Sequence, residues 1–186
     1  MALEATFRAL SVSLHKLDDA LSALHLTVMD KPNEESALVD GLDNSILDLI
    51  GTLSDARKSA SQARRAVGHP VDLDGARRAL TVCQERFHRI EQQFTADLVS
   101  YEKLKELARL GRVRRHEWLP WANSTKQVIE QCREPLVQAS KALAACWQEL
   151  AERLGTMSIS VKTHNVGQQI TMPRRRAEDV EIEGVT

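Results

Sequence analysis

The sequence predicts an all-α protein: an antiparallel up-down four-helix bundle of long coiled-coil-like helices, followed by an extended C-terminal tail. Three observations predict it. Apolar residues recur at spacings of three and four through most of residues 1–155, and each such step returns close to one angular position on a helix. Short stretches that cannot continue a helix, "DKPN", "GHP" and the glycine-led "GRVRRH", separate those runs into four. Beyond Gly155 the period changes to two, the mark of extended chain.

The first segment carries Leu3, Phe7, Leu10, Leu14, Leu17, Leu21, Leu24 and Val28 without a miss. Pro32 disfavours helix in the residue before it, and Asn33 or Ser36 can cap the second helix. The second seam runs Val39, Leu42, Ile46, Leu49, Leu53, Ala56, Ala60, Ala63 and Val67. It narrows to alanine, so the helices should approach most closely at that end. Gly68 and Pro70 stop it.

Asp72 or Asp74 can cap the third segment, whose seam is Leu73, Ala76, Leu80, Cys83, Phe87, Ile90 and Phe94. Strict continuation puts Asp97 on that seam. A step of four to Leu98, then Tyr101, Leu104 and Ala108, avoids burying a carboxylate and is the expected course, a local stutter. The alternative makes Asp97 a polar registry device that needs a partner. The fourth segment passes through Trp118, Trp121, Thr125, Val128, Cys132, Leu136, Ala139, Leu143, Trp147, Leu150 and Leu154. Pro135 lies inside it, and its missing N–H and ring clash predict a kink or a break near Glu134.

Helices of roughly 28 to 40 residues are about 40–60 Å long, and short loops between them enforce antiparallel neighbours. Residues 1–155 therefore form the bundle and residues 156–186 the tail. Three long helices completing their core with a partner chain would fit the same stripes, so a homo-oligomer is compatible with the pattern.

Composition narrows the function. The chain has 186 residues, 42% hydrophobic and 27% charged but 4% aromatic, which suits one helix-rich globular domain with an appendage. Lys and Arg number 25 against 26 Asp and Glu, a net charge of −1. No global field draws in nucleic acid or an anionic membrane. There is no apolar run of about 18 residues, and Glu4 and Arg8 stand where a signal peptide keeps its apolar core, so a cytoplasmic, membrane-free protein is expected. Cys83, Cys132 and Cys146 lack CxxC spacing and fall on apolar helix positions, which reads as buried free thiols.

Three kinds of bundle chemistry can be set against the register. A di-metal carboxylate centre needs two inward Glu-x-x-His pairs. Glu85 and His88 make one, with Glu85 on the outer face, and there is no second; neither metal nor cofactor is expected. Histidine phosphotransfer needs an accessible imidazole, for which His15 is the best candidate, although Asp18 and Asp19 beside it would repel phosphate. Assisted nucleophilic catalysis finds no Gly-rich turn or phosphate-cradling motif. Arg57, Lys58, Arg64, Arg65, Arg77 and Arg78 gather at one end of the bundle, and Arg109, Arg112, Arg114 and Arg115 at the other. Helix C-termini attract such residues, as helix N-termini attract Asp40 and Asp43, so dipole matching accounts for the pattern without nucleic acid.

Trp118 and Trp121 flank Pro120 near a bundle end, where they serve either as an interface anchor or as a plug for the core. In the tail, Ile159 and Val161 alternate with polar residues, and Ile170 and Met172 could pair back on them. An isolated hairpin is marginal in water, so the segment either stays solvated or adds to the sheet edge of a partner. Arg174, Arg175 and Arg176, followed by acidic residues, would give that contact a charged rim. The expected function is a non-enzymatic protein-protein interaction module, an adaptor or assembly subunit using the bundle surface and the tail. A histidine phosphotransfer module is the alternative.

Overall fold

A computed structural model describes residues 2–32, 37–68, 71–109 and 115–155. The caps at Asn33 and Ser36, the basic residues Arg112 and Arg114, and every tail residue singled out above (Ile159, Val161, Ile170, Met172, Arg174, Arg175 and Arg176) lie outside them. Four helices form: α1 (Ala2–Met29), α2 (Ala37–Ala66), α3 (Leu73–Arg109) and α4 (Arg115–Arg153).

The helices close a ring in which α1 packs on α2 and α4, and α3 on α2 and α4. Cross-helix contacts show that each neighbouring pair is antiparallel. On α1 and α2, His25 meets Asp43 and Asp18 meets Arg57. On α1 and α4, the Trp121 Nε1–H donates to the Thr27 carbonyl at 3.1 Å, and the Cys132 Sγ–H to the Ala20 carbonyl at 3.4 Å. On α3 and α4, the Tyr101 hydroxyl donates to the Ala122 carbonyl. On α2 and α3, the Asp72 N–H donates to the Ala66 carbonyl across the connection at 2.7 Å.

Every seam residue of α1 is buried, and so is that of α2 from Val39 to Ala63. Burying a leucine contributes roughly 1.5–3 kcal/mol, so these stripes, rather than local propensity, hold the helices together. Asp72 caps α3: its Oδ1 accepts from the Gly75 N–H at 2.7 Å. The absence of a Cβ at Gly75 leaves room for this cap, because a Cβ there would displace the Asp72 carboxylate. Gly155, at φ 65°, ends α4 in the left-handed conformation that a residue without Cβ adopts freely.

The structure corrects the expected course at three places. On α3 there is no stutter: Asp97 is 8% exposed on the seam between Phe94 and Tyr101, and Leu98 is only half-buried. Unbroken heptad phase keeps Tyr101 and Leu104 inside, and a polar partner on α2 meets the carboxylate. On α4 Ile129 is buried and Val128 half-buried, the step from Thr125 being four instead of three. Finally, α4 does not break at Glu134; it is one helix of 39 residues containing both Pro120 and Pro135. A proline costs a helix interior about 3 kcal/mol. Here Cys132 before it and Leu136 and Ala139 after it are all core residues, so breaking the helix would forfeit more burial than the proline costs.

Candidate functional site

Trp118 and Trp121 sit where the C-terminal end of α1 meets the N-terminal part of α4. Their rings meet edge to face, centroids 5.5 Å apart and planes at 84°, a favourable arrangement for aromatic quadrupoles. Trp118 is fully buried and Trp121 7% exposed. Both therefore plug the core, and neither stands out as a free anchor. What Trp121 does is close the floor of an open recess of about 460 Å3, lined by Thr27, Asp30, Lys31 and Pro32 from the α1 end and by Pro120, Trp121 and Ser124 from α4. Two prolines and an indole supply the apolar part of the lining; Asp30 and Lys31, the latter paired with Asp40, add opposite charges. The sequence carried a signal for this recess, since the α1 exit proline and the α4 entry proline share one pole of any up-down bundle.

A second polar constellation lies at mid-height between α2 and α3. Asp97 Oδ1 accepts from Ser45 Oγ at 2.7 Å and from Gln93 Nε2 at 3.2 Å. Its Oδ2 is buried with no hydrogen-bond partner among the described residues. Burial pushes the carboxyl above its usual range, partly countered by the bonds from Ser45 and Gln93. The surroundings are apolar: a void of about 10 Å3 beside it is walled by Leu24, Leu42, Ile46, Phe94, Leu98 and Ile129, drawn from all four helices. This group ties α2 to α3 in one register.

The histidines are engaged at the surface. His15 is exposed on α1, with Arg57 Nη2 of α2 at 3.2 Å from Nδ1 and Asp19 Oδ2 at 4.0 Å from Nε2. The same Arg57 pairs with Asp18. His25 Nδ1 lies 3.0 Å from Asp43 Oδ1, both atoms buried, without the alignment of a hydrogen bond. His88 is exposed beside Gln92 and Glu91, and Glu85 faces solvent. Among the described residues no group of three or more His, Cys, Asp or Glu side chains is placed to hold a metal ion.

The three cysteines are free and buried. Burial pushes each thiol up to about 12, with the Cys83 thiol and Glu149 adding to the effect at Cys146. Such thiols are poor nucleophiles and act as core packing. Three of the six basic residues predicted at the Arg57 and Arg77 end are internally compensated: Arg57 pairs with Asp18, Lys58 with Asp55 and Arg77 with Asp74. No described helix is long and apolar enough to cross a membrane. Comparison with protein families, curated proteins and solved structures finds no match to this chain.

Proposed function

We propose that the protein is a non-enzymatic interaction module, an adaptor or assembly subunit that binds protein partners through the end of its bundle and through residues 156–186. The observation that carries this reading is the apolar-walled recess between Pro32 and Pro120, floored by Trp121. A rigid aromatic floor held by the Thr27 carbonyl, with small polar and charged groups at the rim, suits a protein loop or turn, since such contacts draw their strength from apolar anchors inside a polar rim. The alternating apolar residues Ile159, Val161, Ile170 and Met172, with Arg174, Arg175 and Arg176, supply a second contact by strand addition.

Affinity capture followed by cross-linking tests the proposal. The full chain, a chain ending at Gly155 and the variant Ser124→Trp, which fills the recess from an exposed position, are compared for specific, cross-linked partners. Loss of partners with the truncation supports the tail contact, and loss with Ser124→Trp supports the recess. Identical recovery with all three rejects the reading. His15 is less suited to phosphotransfer than its exposure suggests, since Arg57 and Asp19 approach its two nitrogens. Stable phosphorylation that is abolished by His15→Ala would establish that alternative instead.

A further inference from the structure

A helix that packs against two neighbours normally turns polar residues to solvent. α4 obeys this, with Pro120 the one apolar residue among its exposed described positions, while α2 and α3 expose large apolar side chains at scattered positions, Leu47, Val82 and Val99. α1 does not obey it. Its outward positions include Ala5, Ala9, Val12, Ala23 and Leu26, all exposed, with Val12 at 51% and Leu26 at 67%, and Met29 beside them at 59%. With Lys16 and Asp19 at the centre, these positions step by four and three alternately, the spacing of a coiled-coil seam. It runs back to back with the buried seam that starts at Leu3, so α1 carries two stripes where a bundle helix needs one.

The order of residues along this outer stripe specifies its occupant. Reversed end for end and laid on itself, the stripe brings Lys16 opposite Asp19 and Asp19 opposite Lys16. Val12 then faces Ala23, and Ala9 faces Leu26, so each large side chain meets a small one. Laid on itself in parallel, it would set Lys16 against Lys16 and Asp19 against Asp19. Lys16 makes no ion pair among the described residues, which leaves it free for a partner. A two-fold interface requires just this self-complementarity.

We propose that the outer face of α1 is a self-association surface whose partner is a second copy of this chain, the two α1 helices packing antiparallel about a two-fold axis between Lys16 and Asp19. Alanines opposite Val12 and Leu26 let the helices approach closely, and the central charges reject the parallel arrangement. The surface shares no residue with the lining of the recess, and its test reads self-association rather than capture of another protein, so the proposal stands or falls independently of the function proposed above.

Sedimentation equilibrium of the full chain tests it, with Lys16→Glu and Asp19→Lys as the perturbations. Both sites are exposed, so far-ultraviolet circular dichroism should show the fold unchanged. The wild type is expected to dimerise at protein concentrations of up to about 100 µM, and each reversal to raise the dissociation constant about tenfold or more, because two attractive contacts become repulsive. Mixing the two variants should restore a dimer, since the acidic stripe of one then faces the basic stripe of the other. A wild type that stays monomeric overturns the proposal. So does a dimer that survives both reversals, or a pair of monomeric variants that fail to associate on mixing.

Discussion

Replacing Asp97 by leucine should stabilise the protein, and by more near neutral pH than in mild acid. Leucine completes the apolar stripe between Phe94 and Tyr101, and its burial contributes roughly 1.5–3 kcal/mol. The hydrogen bonds from Ser45 and Gln93 are lost, but Ser45 is half-buried and Gln93 exposed, so water takes them up at a cost of at most about 1 kcal/mol. The adjoining void of about 10 Å3 absorbs little of the extra volume, and overpacking costs about 1 kcal/mol. These terms leave between about −0.5 and +2 kcal/mol, and removing the buried, unpartnered Oδ2 moves the balance to the favourable side, so the expected gain is up to about 2 kcal/mol, or a midpoint up to about 8 °C higher for a chain of this size. The sign of the pH effect comes from burial, which raises the Asp97 carboxyl above 3.8. The native state then holds its proton more tightly than the unfolded chain, so wild-type stability falls as pH rises from the ordinary carboxylate value through the raised one, and the loss is complete above it. The advantage of Asp97→Leu should widen over that window and be level beyond it. Urea unfolding followed by circular dichroism between about pH 4 and pH 8 measures this, with Asp97→Asn as the near-isosteric control that also abolishes the titration. A leucine variant less stable than wild type at neutral pH would refute the reasoning, as would an advantage that does not change with pH.

Trp118→Ala should destabilise the fold by about 3–5 kcal/mol, because a fully buried indole leaves a cavity that the surrounding helices cannot close; urea unfolding measures the loss. Gly75→Ala should forfeit about 1 kcal/mol by forcing the Asp72 carboxylate off the α3 N-terminus and regain about 0.5–1 kcal/mol of helix propensity, a net change under about 0.5 kcal/mol, while Asp72→Ala should cost about 1 kcal/mol in the wild type and little in the Gly75→Ala background, where the cap is already gone; urea unfolding of the double-mutant cycle measures it. Cys83, Cys132 and Cys146, with thiols pushed up to about 12, should all resist an aromatic disulfide reagent in the native protein and react together on unfolding in urea, which absorbance of the released thiolate monitors.

Legibility in the sequence depended on whether the deciding interaction was local. The seams of α1 and α2 depend on nothing but side-chain spacing, and their residues are buried as expected from Leu3 to Val28 and from Val39 to Ala63. Asp97 was different. Period alone placed it inside, while the cost of burying a carboxylate argued for Leu98. Gln93 is visible one turn away, but the decisive partner, Ser45, lies 52 residues earlier on another helix and is found only once the α2–α3 register is known. Val128 and Ile129 differ by one position, and both lead to Cys132, so only packing chooses between them. At Pro135 the local rule allowed a break, and burial on both sides overrode that. The recess at Trp121 joins the exit of α1, residues 27–32, to residues 120–124 of α4, which no single stretch displays.

The ring of helices is not evenly tied, and that bears on where a partner can dock. α2 with α3 and α1 with α4 pack most extensively, while α3 with α4 pack least. α1 is held on both flanks: Asp18 and His25 face α2, and the carbonyls of Ala20 and Thr27 receive Cys132 and Trp121 from α4. Its whole inner stripe is buried as well. A surface built on such a helix changes shape little on binding, so the ordering cost that usually reduces the yield of apolar contact is small there. The same apolar residues on α3, next to the sparsest seam of the ring, would sit on a less supported element. Val12 and Leu26 are therefore exposed, in one stripe, on a helix held firmly enough to present them, which is the arrangement an interface requires.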